Sequence, residues 1–510
     1  MKYFKYVLII LTLTNVFLSS WFVLHNSVYF NTDRARDFLI LQEISEKKLV
    51  LIGPRSSGQG LFHGPLWAYM NYPVFVLSNG NPVASGYFWV VLGILFLISV
   101  YYFSKKLFDQ NTAYFALAFV SSELVTHVWG MFHPDMAMFL TIPYFYFFYL
   151  YYRTGKLKYL LSYLFLAGLV FQFEVAPGLS FLILSFIISV LLIIKKKNYL
   201  HIFSFLILLI PLSSFILFDL RHNFIQFRSV IMFGFGSAAE HRQTFTSMLH
   251  QRIYLAFIGG LNLFKNSFKT IEFYFGKNWE VLNVFPLILF TYHFLRSVHR
   301  KEKESGIYIL FVIFYLGFYA LTLLRNGNLL YFHWYALIPL IYLIFASLSR
   351  YKNPAFFLLS IIILGLSLYQ NLQAVVYVKG FIPTSEDSWK FEKELGDEVF
   401  KMGGKNFGYL VFTPDVYAYE PKYGIVYAQR NHPSQTSYLG DKKQVTIVVL
   451  APDDPRVTRA WWMKTKMSIS SKPQGVYNFP NGYTVERFIF PKDQQGMISD
   501  PVYTDPLYFR

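Results

Sequence analysis

Acidic and basic residues alternate in one short stretch of the chain, Asn31-Thr32-Asp33-Arg34-Ala35-Arg36-Asp37. In a helix, Asp33 and Asp37 are four residues apart and share a face, and Arg36 follows Asp33 by three residues. Two carboxylates and a guanidinium therefore meet. The alternative is an ordinary helix start with Thr32 or Asp33 as the N-cap, which explains one aspartate well and the second poorly.

A second polar group follows in the segment Ile52-Gly53-Pro54-Arg55 and in Phe62-His63-Gly64-Pro65-Leu66-Trp67. Gly-Pro breaks the chain before an aromatic amphipathic helix, and His63 stands just ahead of that helix. A helix N-terminus with arginine or histidine beside it binds anions and suits a phosphate. The alternative is a helix anchored at the membrane interface by aromatic side chains such as Trp67 and Tyr69.

Further ionisable or polar side chains lie at the ends of apolar segments, where burying them in the membrane costs free energy. They are Asp135, Glu174, Asp219, Arg221, His222, Arg325, His333 and Tyr335. Carboxylates at membrane depth usually face a wet cavity and mark function. Because nearly all of these groups fall at the predicted external ends, the sequence predicts one polar site at the outer face. Glu123 and His127, one helical turn apart, could instead simply hydrogen-bond to each other.

The elements that must position these residues are membrane spans. Of the 510 residues, 55% are hydrophobic and only 15% are charged, and apolar runs recur that are long enough to cross a bilayer. Eleven spans are predicted, at about 5–24, 85–103, 112–131, 136–152, 158–174, 177–194, 199–218, 281–296, 306–324, 329–348 and 354–376. The basic connectors all fall on one side, which predicts a plasma-membrane (inner-membrane) protein with a cytoplasmic N-terminus and an external C-terminus.

The charge and the cysteine count exclude several classes of function. The net charge of +17 belongs almost wholly to residues 1–376, because the remainder of the chain is nearly neutral. This is a topology signal rather than a nucleic-acid surface. The chain has no cysteine, which excludes disulfides, thiolate metal sites and cysteine nucleophiles.

The fold class predicted is a multi-pass α-helical membrane protein with a small extracytoplasmic α/β domain at its C-terminus. Residues 1–376 form the membrane domain, with two long external loops at 25–84 and 219–280, and residues 377–510 form the soluble domain. In the latter we predict strands at 409–413, 424–427, 445–450 and 483–490 and one amphipathic helix at 385–402.

Several of these motifs together resemble the GT-C superfamily of membrane glycosyltransferases, in particular the glycosyltransferase family 39 type that includes protein O-mannosyltransferases and aminoarabinose transferases. They are Asp33-Arg34-Ala35-Arg36-Asp37, Gly53-Pro54, Gly64-Pro65-Leu66-Trp67, Phe218-Asp219-Leu220-Arg221-His222-Asn223-Phe224 and His333 to Pro339. The resemblance covers about residues 1–376 and points to a bacterial member of unassigned acceptor. Two motifs depart from the common pattern: Arg34 follows Asp33 where many relatives have glutamate, and His63-Gly64-Pro65 replaces Lys-Pro-Pro or His-Pro-Pro.

The resemblance implies a hexosyl- or pentosyltransferase that moves a sugar from a polyprenyl-phosphate donor to a glycan, lipid or protein acceptor on the external face, with inversion. By the same resemblance Asp33 is the general base, with Asp37 and Asp135 as further catalytic candidates. The candidates for holding the donor phosphate are Arg36, Arg55, His63, Arg221 and His222. The candidates for binding substrate are Glu174, Asp219, Arg325, His333 and Tyr335.

No cofactor is required on this interpretation, and no metal ligand is assigned. A divalent cation could still be bound by oxygen and nitrogen ligands drawn from His127, His133, Asp135, Glu174 and His222. Two alternatives to the function stay open. One is an O-antigen-ligase-like or oligosaccharide-transferring GT-C enzyme, and the other is a non-enzymatic lipid or solute transporter.

Overall fold

The computed structural model describes residues 3–56, 58, 60–235, 243–264, 279–325 and 327–507, so parts of the predicted loop 219–280 lie outside the described residues. The described chain is mostly helical. The α-helices, in chain order, are α1 (Phe4–Ser19), α2 (Trp21–Leu24), α3 (Thr32–Lys47), α4 (Leu66–Leu77), α5 (Pro82–Leu107), α6 (Gln110–Gly130), α7 (His133–Thr154), α8 (Leu157–Phe173), α9 (Val175–Lys196), α10 (Leu209–Arg221), α11 (Ile225–Phe235), α12 (Phe245–Phe257), α13 (Val284–His299), α14 (Ser305–Thr322), α15 (Ile338–Ser347), α16 (Pro354–Thr384), α17 (Trp389–Gly403), α18 (Tyr419–Asn431), α19 (Arg459–Thr465) and α20 (Pro501–Thr504).

Short 3₁₀ turns extend or join several of these helices. They lie at Tyr199–Leu208, Gly259–Leu261, Glu280–Asn283, Tyr331–His333, Tyr335–Leu337, Leu348–Tyr351 and Lys492–Gln494.

Six helical segments among the described residues are long and apolar enough to cross a membrane, so the chain is a multi-pass membrane protein. They are Pro82–Leu107, Val175–Lys196, Tyr199–Arg221, Glu280–His299, Ser305–Thr322 and Pro354–Thr384. Helices also lie at the other five predicted spans, but three of them are shorter. The full count of eleven spans and the orientation of the termini stay predictions.

The chain divides into two compact units. The first comprises Met1–Trp21, Leu51–Trp67 and Trp89–Val375, and the second comprises Phe22–Val50, Ala68–Phe88 and Val376–Arg510. The second unit thus contains two segments of the first predicted external loop as well as the C-terminal part.

The second unit is built around a five-stranded mixed sheet in the order β2-β1-β4-β6-β5. The strands of the chain are β1 (Asn406–Phe412), β2 (Thr436–Leu439), β3 (Asp441–Lys442), β4 (Val445–Leu450), β5 (Gly475–Asn478), β6 (Thr484–Ile489) and β7 (Gly496–Met497). β1 pairs in parallel with β2 and β4, while β6 pairs antiparallel with β4 and β5. β3 and β7 form a separate antiparallel pair. A small sheet-containing unit is therefore present, while a separate extracytoplasmic domain at residues 377–510 stays a prediction.

The predicted strand at 424–427 was wrong, because these residues lie in α18. The physical reason is a close crossing of α17 and α18. A Cβ added at Gly396 would lie 2.7 Å from the backbone carbon of Gly424, and a Cβ added at Gly424 would lie 3.2 Å from that of Glu392. Glycines at this crossing let the two helices approach closely. Local β-propensity carries no information about such a contact between helices, so it predicted a strand here.

The polar helix α3 packs within the second unit, against α18. The ring of Phe38 lies 5.3 Å from that of Tyr423, and the Tyr423 hydroxyl donates a hydrogen bond to the carbonyl of Gly80 at 2.6 Å. Phe38 and Tyr423 are both fully buried. The motif at 31–37 is thereby fixed to the same body as the sheet.

Candidate functional site

His63 is positioned by a tight antiparallel loop in the first unit. The Gly53 amide donates to the His63 carbonyl at 2.8 Å, and the His63 amide donates to the Pro54 carbonyl at 2.9 Å. Next in the chain, the Gly64 amide donates to the carbonyl of Gln172 at 2.8 Å. A Cβ at Gly64 would lie 2.7 Å from that same carbonyl oxygen. Glycine at this position is therefore a packing requirement.

His133 is positioned by the turn between α6 and α7. Helix α6 ends at Gly130, and its C-cap Met131 has a φ of 45° in the left-handed region. Helix α7 begins at His133 with Pro134 in its first turn. The indole of Trp67 donates to the Met131 carbonyl at 3.2 Å. Trp67 is buried, so it connects the His63 loop to the His133 turn within this unit. It is not a membrane-interface anchor.

Glu174 stands at the break between two helices, as the C-cap of α8 and the N-cap of α9. One carboxylate oxygen accepts a hydrogen bond from the amide of Ala176 at 3.4 Å. The other lies 3.6 Å from Nδ1 of His63 and 3.8 Å from Nε2 of His133. All three side chains are buried. Among the described residues they form a group that could hold a metal ion.

Arg325 and His333 form a second polar pair in the first unit. Nη1 of Arg325 lies 3.1 Å from Nε2 of His333. Burial lowers the pKa of Arg325, and the Glu174 carboxylate partly offsets that effect. The cationic group therefore lies within electrostatic reach of the Glu174 cluster.

Arg252 holds the backbone from which Arg325 projects. Its guanidinium donates to the carbonyl of Gly327 at 2.8 Å and to those of Thr322 and Arg325 at 3.4 Å. Burial and the charge of Arg325 lower the pKa of Arg252 to about 10. Arg252 is not identifiable from the sequence as a site residue, because its partners are carbonyl groups distant in the chain.

An apolar groove of about 190 Å³ adjoins the Arg325–His333 pair. Its walls are mainly aliphatic side chains of α9, α11 and the end of α14, and its polar lining comes from Arg325, His333 and three hydroxyl groups. The lining residues are Ser56, Leu61, Val175, Ala176, Leu179, Ser180, Ile183, Val230, Ile231, Leu321, Thr322, Leu324, Arg325, Leu329 and His333.

Asp135 lies in a buried network that already uses its carboxylate. It contacts Nδ1 of His127 at 2.5 Å, and it accepts hydrogen bonds from the Tyr335 hydroxyl at 3.0 Å and from the Phe132 amide at 3.1 Å. His127 also lies 3.4 Å from Glu123. These contacts support a structural role for Asp135 and Tyr335 in joining α6, α7 and the start of α15.

The motif at 218–224 organises the backbone around α11. Asp219 accepts hydrogen bonds from the amides of Gln226 and Phe227 at 2.8 and 3.0 Å. The Gln226 side chain, in turn, bonds both backbone groups of Phe62 at 2.9 and 2.8 Å. Asp219 therefore acts as a helix cap that helps to fix the residue before His63.

Three of the predicted donor-phosphate residues are exposed, namely Arg55, Arg221 and His222. His222 stacks on Phe218, and its Nδ1 lies 2.8 Å from the Phe218 carbonyl. The Arg325–His333 pair is the more enclosed cationic site.

The two aspartates of the motif at 31–37 differ in their exposure to solvent. Asn31, not Thr32 or Asp33, caps α3 by accepting from the Arg34 amide. Arg36 lies 2.9 Å from Asp33 and 3.2 Å from Asp37. The Asp37 side chain is 1% exposed and that of Asp33 is 41% exposed. Burial alone would lower the pKa of Arg36, but the two carboxylates raise it overall. Arg36 is thus bound to its carboxylates, and Asp33 is the accessible acid.

Comparisons with known proteins bear on the family and on the fold. Residues 62–218, which include His63, His133 and Glu174, match the family model described as dolichyl-phosphate-mannose-protein mannosyltransferase. No curated protein matches the chain.

Among solved structures, ArnT from Cupriavidus metallidurans in the apo state is 11% identical, with a TM-score of 0.50 over 95% of this chain and 98% of that chain. ArnT bound to undecaprenyl phosphate is 10% identical, with a TM-score of 0.49 over 94% and 97%. The archaeal oligosaccharyltransferase AglB from Archaeoglobus fulgidus, in complex with an inhibitory peptide and a dolichol-phosphate, is 11% identical, with a TM-score of 0.45 over 100% and 78%.

At such identity the similarity to apo ArnT is one of fold. Together with the family match, it confirms the resemblance predicted from the sequence: the chain is similar to the GT-C membrane glycosyltransferases of the glycosyltransferase family 39 type.

Proposed function

We propose that this protein moves a sugar from a polyprenyl-phosphate donor to a glycan, lipid or protein acceptor at the external face of the plasma membrane. The observation that carries the proposal is the apolar groove next to Arg325 and His333. A polyprenyl phosphate has a long apolar tail and an anionic head. The groove offers an aliphatic wall for the tail and a partly buried cation, Arg325, for the head. The family description, which names a dolichyl-phosphate sugar, supports the same donor class.

The leaving group on this proposal is the lipid phosphate. A partly dry arginine stabilises the charge that develops on a phosphate more strongly than an exposed one, because the local dielectric is lower. Arg325, which was predicted to bind substrate, is thus the favoured phosphate contact within the first unit. His333 lies beside it and lines the same groove.

Asp33 is the proposed general base on the acceptor hydroxyl. It is the accessible carboxylate of its motif, whereas Asp37 is buried and Asp135 is held by several hydrogen bonds. The Asp33 carboxylate lies 2.9 Å from Arg36 and is 41% exposed, so an acceptor hydroxyl can reach it and give up a proton to it. A single displacement by the acceptor oxygen would invert the anomeric centre.

Donor binding by purified protein in lipid nanodiscs tests the proposal. The radiolabelled polyprenyl monophosphate sugar should bind, and Arg325→Met should weaken its binding by at least tenfold. Arg300→Met, at an exposed arginine, is the matched control. Undiminished binding in Arg325→Met would contradict the assignment.

The same assay separates the alternatives. Preference for a lipid diphosphate oligosaccharide would select the oligosaccharide-transferring class of enzyme. Movement of the intact donor across a liposome membrane, without release of polyprenyl phosphate, would select a transporter.

A further inference from the structure

Three side chains from separate elements of the first unit converge on one buried point. His63 comes from the loop before α4, His133 is the first residue of α7, and Glu174 separates α8 from α9. We propose that His63, His133 and Glu174 together bind one divalent transition-metal ion of the zinc type. Binding of the ion does not depend on the proposed function, but its use in catalysis does.

The separations between the ligand atoms fit a shared ion better than direct hydrogen bonds. The shared Glu174 oxygen lies 3.6 Å from His63 Nδ1 and 3.8 Å from His133 Nε2, beyond the usual hydrogen-bond range of about 2.7–3.2 Å. Tetrahedral bonds of about 2.0–2.1 Å would put neighbouring ligand atoms about 3.3 Å apart. The two separations from Glu174 exceed this distance by about 0.3–0.5 Å, and the ligand atoms of all three residues lie within 4.8 Å of one another.

The donor set selects the kind of ion. Two imidazole nitrogens with one carboxylate oxygen are typical of zinc, whereas magnesium and calcium prefer oxygen ligands throughout. Other transition-metal dications fit the same ligands, with affinities that follow the usual order for this row. Three protein ligands leave one position open, as in catalytic rather than structural zinc sites.

Each ligand is held by a contact outside the cluster. The hydrogen bond from the Gly64 amide to the Gln172 carbonyl fixes the chain beside His63. The hydrogen bond from the Trp67 indole holds the Met131 carbonyl, two residues before His133. The second oxygen of Glu174 faces the Ala176 amide at the start of α9. Such supporting contacts orient ligands in metal sites, and here they leave one Glu174 oxygen directed at both histidines.

If the proposed function holds, the open position would bind an oxygen of the donor phosphate or of the acceptor hydroxyl. A zinc ion stabilises negative charge on such an oxygen as a Lewis acid. Arg325 lies within electrostatic reach of Glu174, so its cation and the proposed ion would act on the same region.

Metal content measured on tag-free, full-length protein in detergent tests the site without any donor. After chelator treatment and reloading with zinc sulfate, we expect one zinc per chain by mass spectrometry and none with magnesium chloride alone. His133→Ala and Glu174→Gln should each weaken zinc binding by at least tenfold. His299→Ala, at an exposed histidine, should bind like the wild type.

A second measurement avoids variants that fail to fold. Zinc should raise the thermal unfolding midpoint of the wild-type protein, because a ligand that binds the native state stabilises it, and cobalt should give the visible absorption of a four-coordinate site. Zinc binding that is equal in wild type and His133→Ala, or no zinc binding by the wild type, would overturn the proposal. Either result would leave donor binding by the protein unaffected, so the two proposals fail separately.

Discussion

The indole nitrogen of Trp67 donates a hydrogen bond to the carbonyl oxygen of Met131 across 3.2 Å, between two buried residues. The bond joins the loop that carries His63 to the turn that precedes His133. This bond between Trp67 and Met131 therefore fixes the position of His63 relative to His133, the two histidines of the proposed metal site.

Removing this bond should affect the site more than the fold. Trp67→Phe keeps an aromatic ring but leaves the Met131 carbonyl without its indole donor, at a cost of about 1–3 kcal/mol. We expect sugar transfer to fall about tenfold, with a small decrease in the thermal unfolding midpoint. Trp461→Phe, at an exposed tryptophan, is the control. A Trp67→Phe variant with full transfer activity would show that the bond does not position the site.

Gly64 should tolerate no side chain. A Cβ there would lie 2.7 Å from the carbonyl oxygen of Gln172, so Gly64→Ala must displace the His63 loop. Transfer should fall by more than 100-fold. Gly365→Ala, where nothing lies within 4 Å of the added carbon, should leave activity unchanged, and equal activities in the two variants would count against the proposed position of His63.

Asp37 and Asp33 should differ in what they do for the protein. The Asp37 side chain is 1% exposed, and removing one partner of a buried ion pair costs about 3–5 kcal/mol. Asp37→Asn should therefore lower the thermal unfolding midpoint clearly. Asp33→Asn should lower it little, because an exposed pair contributes about 0–1 kcal/mol. Equal destabilisation by the two substitutions, measured by tryptophan fluorescence, would refute this division of roles.

Glu392 should make the stability of the second unit depend on pH. Its side chain is fully buried, and neither oxygen has a hydrogen-bond partner among the described residues. Burial, then the charge of Glu420, raises the pKa of Glu392 well above its usual value of 4.5. The native state therefore holds the proton more tightly than the unfolded state. The contribution to stability is complete below about pH 4.5 and is lost as the pH rises through the raised native pKa.

Glu392→Gln should remove this dependence. We expect the variant to be more stable than the wild type at pH 8 and the difference in stability to shrink as the pH approaches 4.5. Thermal unfolding across this range measures it, with Glu394→Gln, an exposed glutamate on the same helix, as the control. A constant difference at all pH values would show that Glu392 does not titrate differently in the native state.

The sequence predicts those parts of the fold that depend on local pattern. Apolar length identifies the helices, and short runs rich in β-branched residues identify β4 and β6, because both signals come from neighbouring residues. The segment 424–427 could not be assigned in this way, since Gly424 is set by its crossing with Gly396 rather than by local preference.

The sequence could indicate which residues belong to the candidate site, but not which of them lie next to one another in the folded chain. Glu174 and His133 could be selected because polar groups at the ends of apolar segments are costly. That they meet His63 depends on how α7, α8 and α9 pack together, which no local pattern carries. Arg252 and Gln172 were missed for the same reason, because their partners are backbone groups far away in the chain.

Turnover of a radiolabelled polyprenyl monophosphate sugar by the purified protein in nanodiscs tests the central claim most directly. The wild-type protein should transfer the sugar and release polyprenyl phosphate. Asp33→Asn should bind the donor with unchanged affinity and transfer it at least 1000-fold more slowly. Glu46→Gln, an exposed glutamate on the same helix, should be as active as the wild type. Transfer by Asp33→Asn at the wild-type rate would contradict the account.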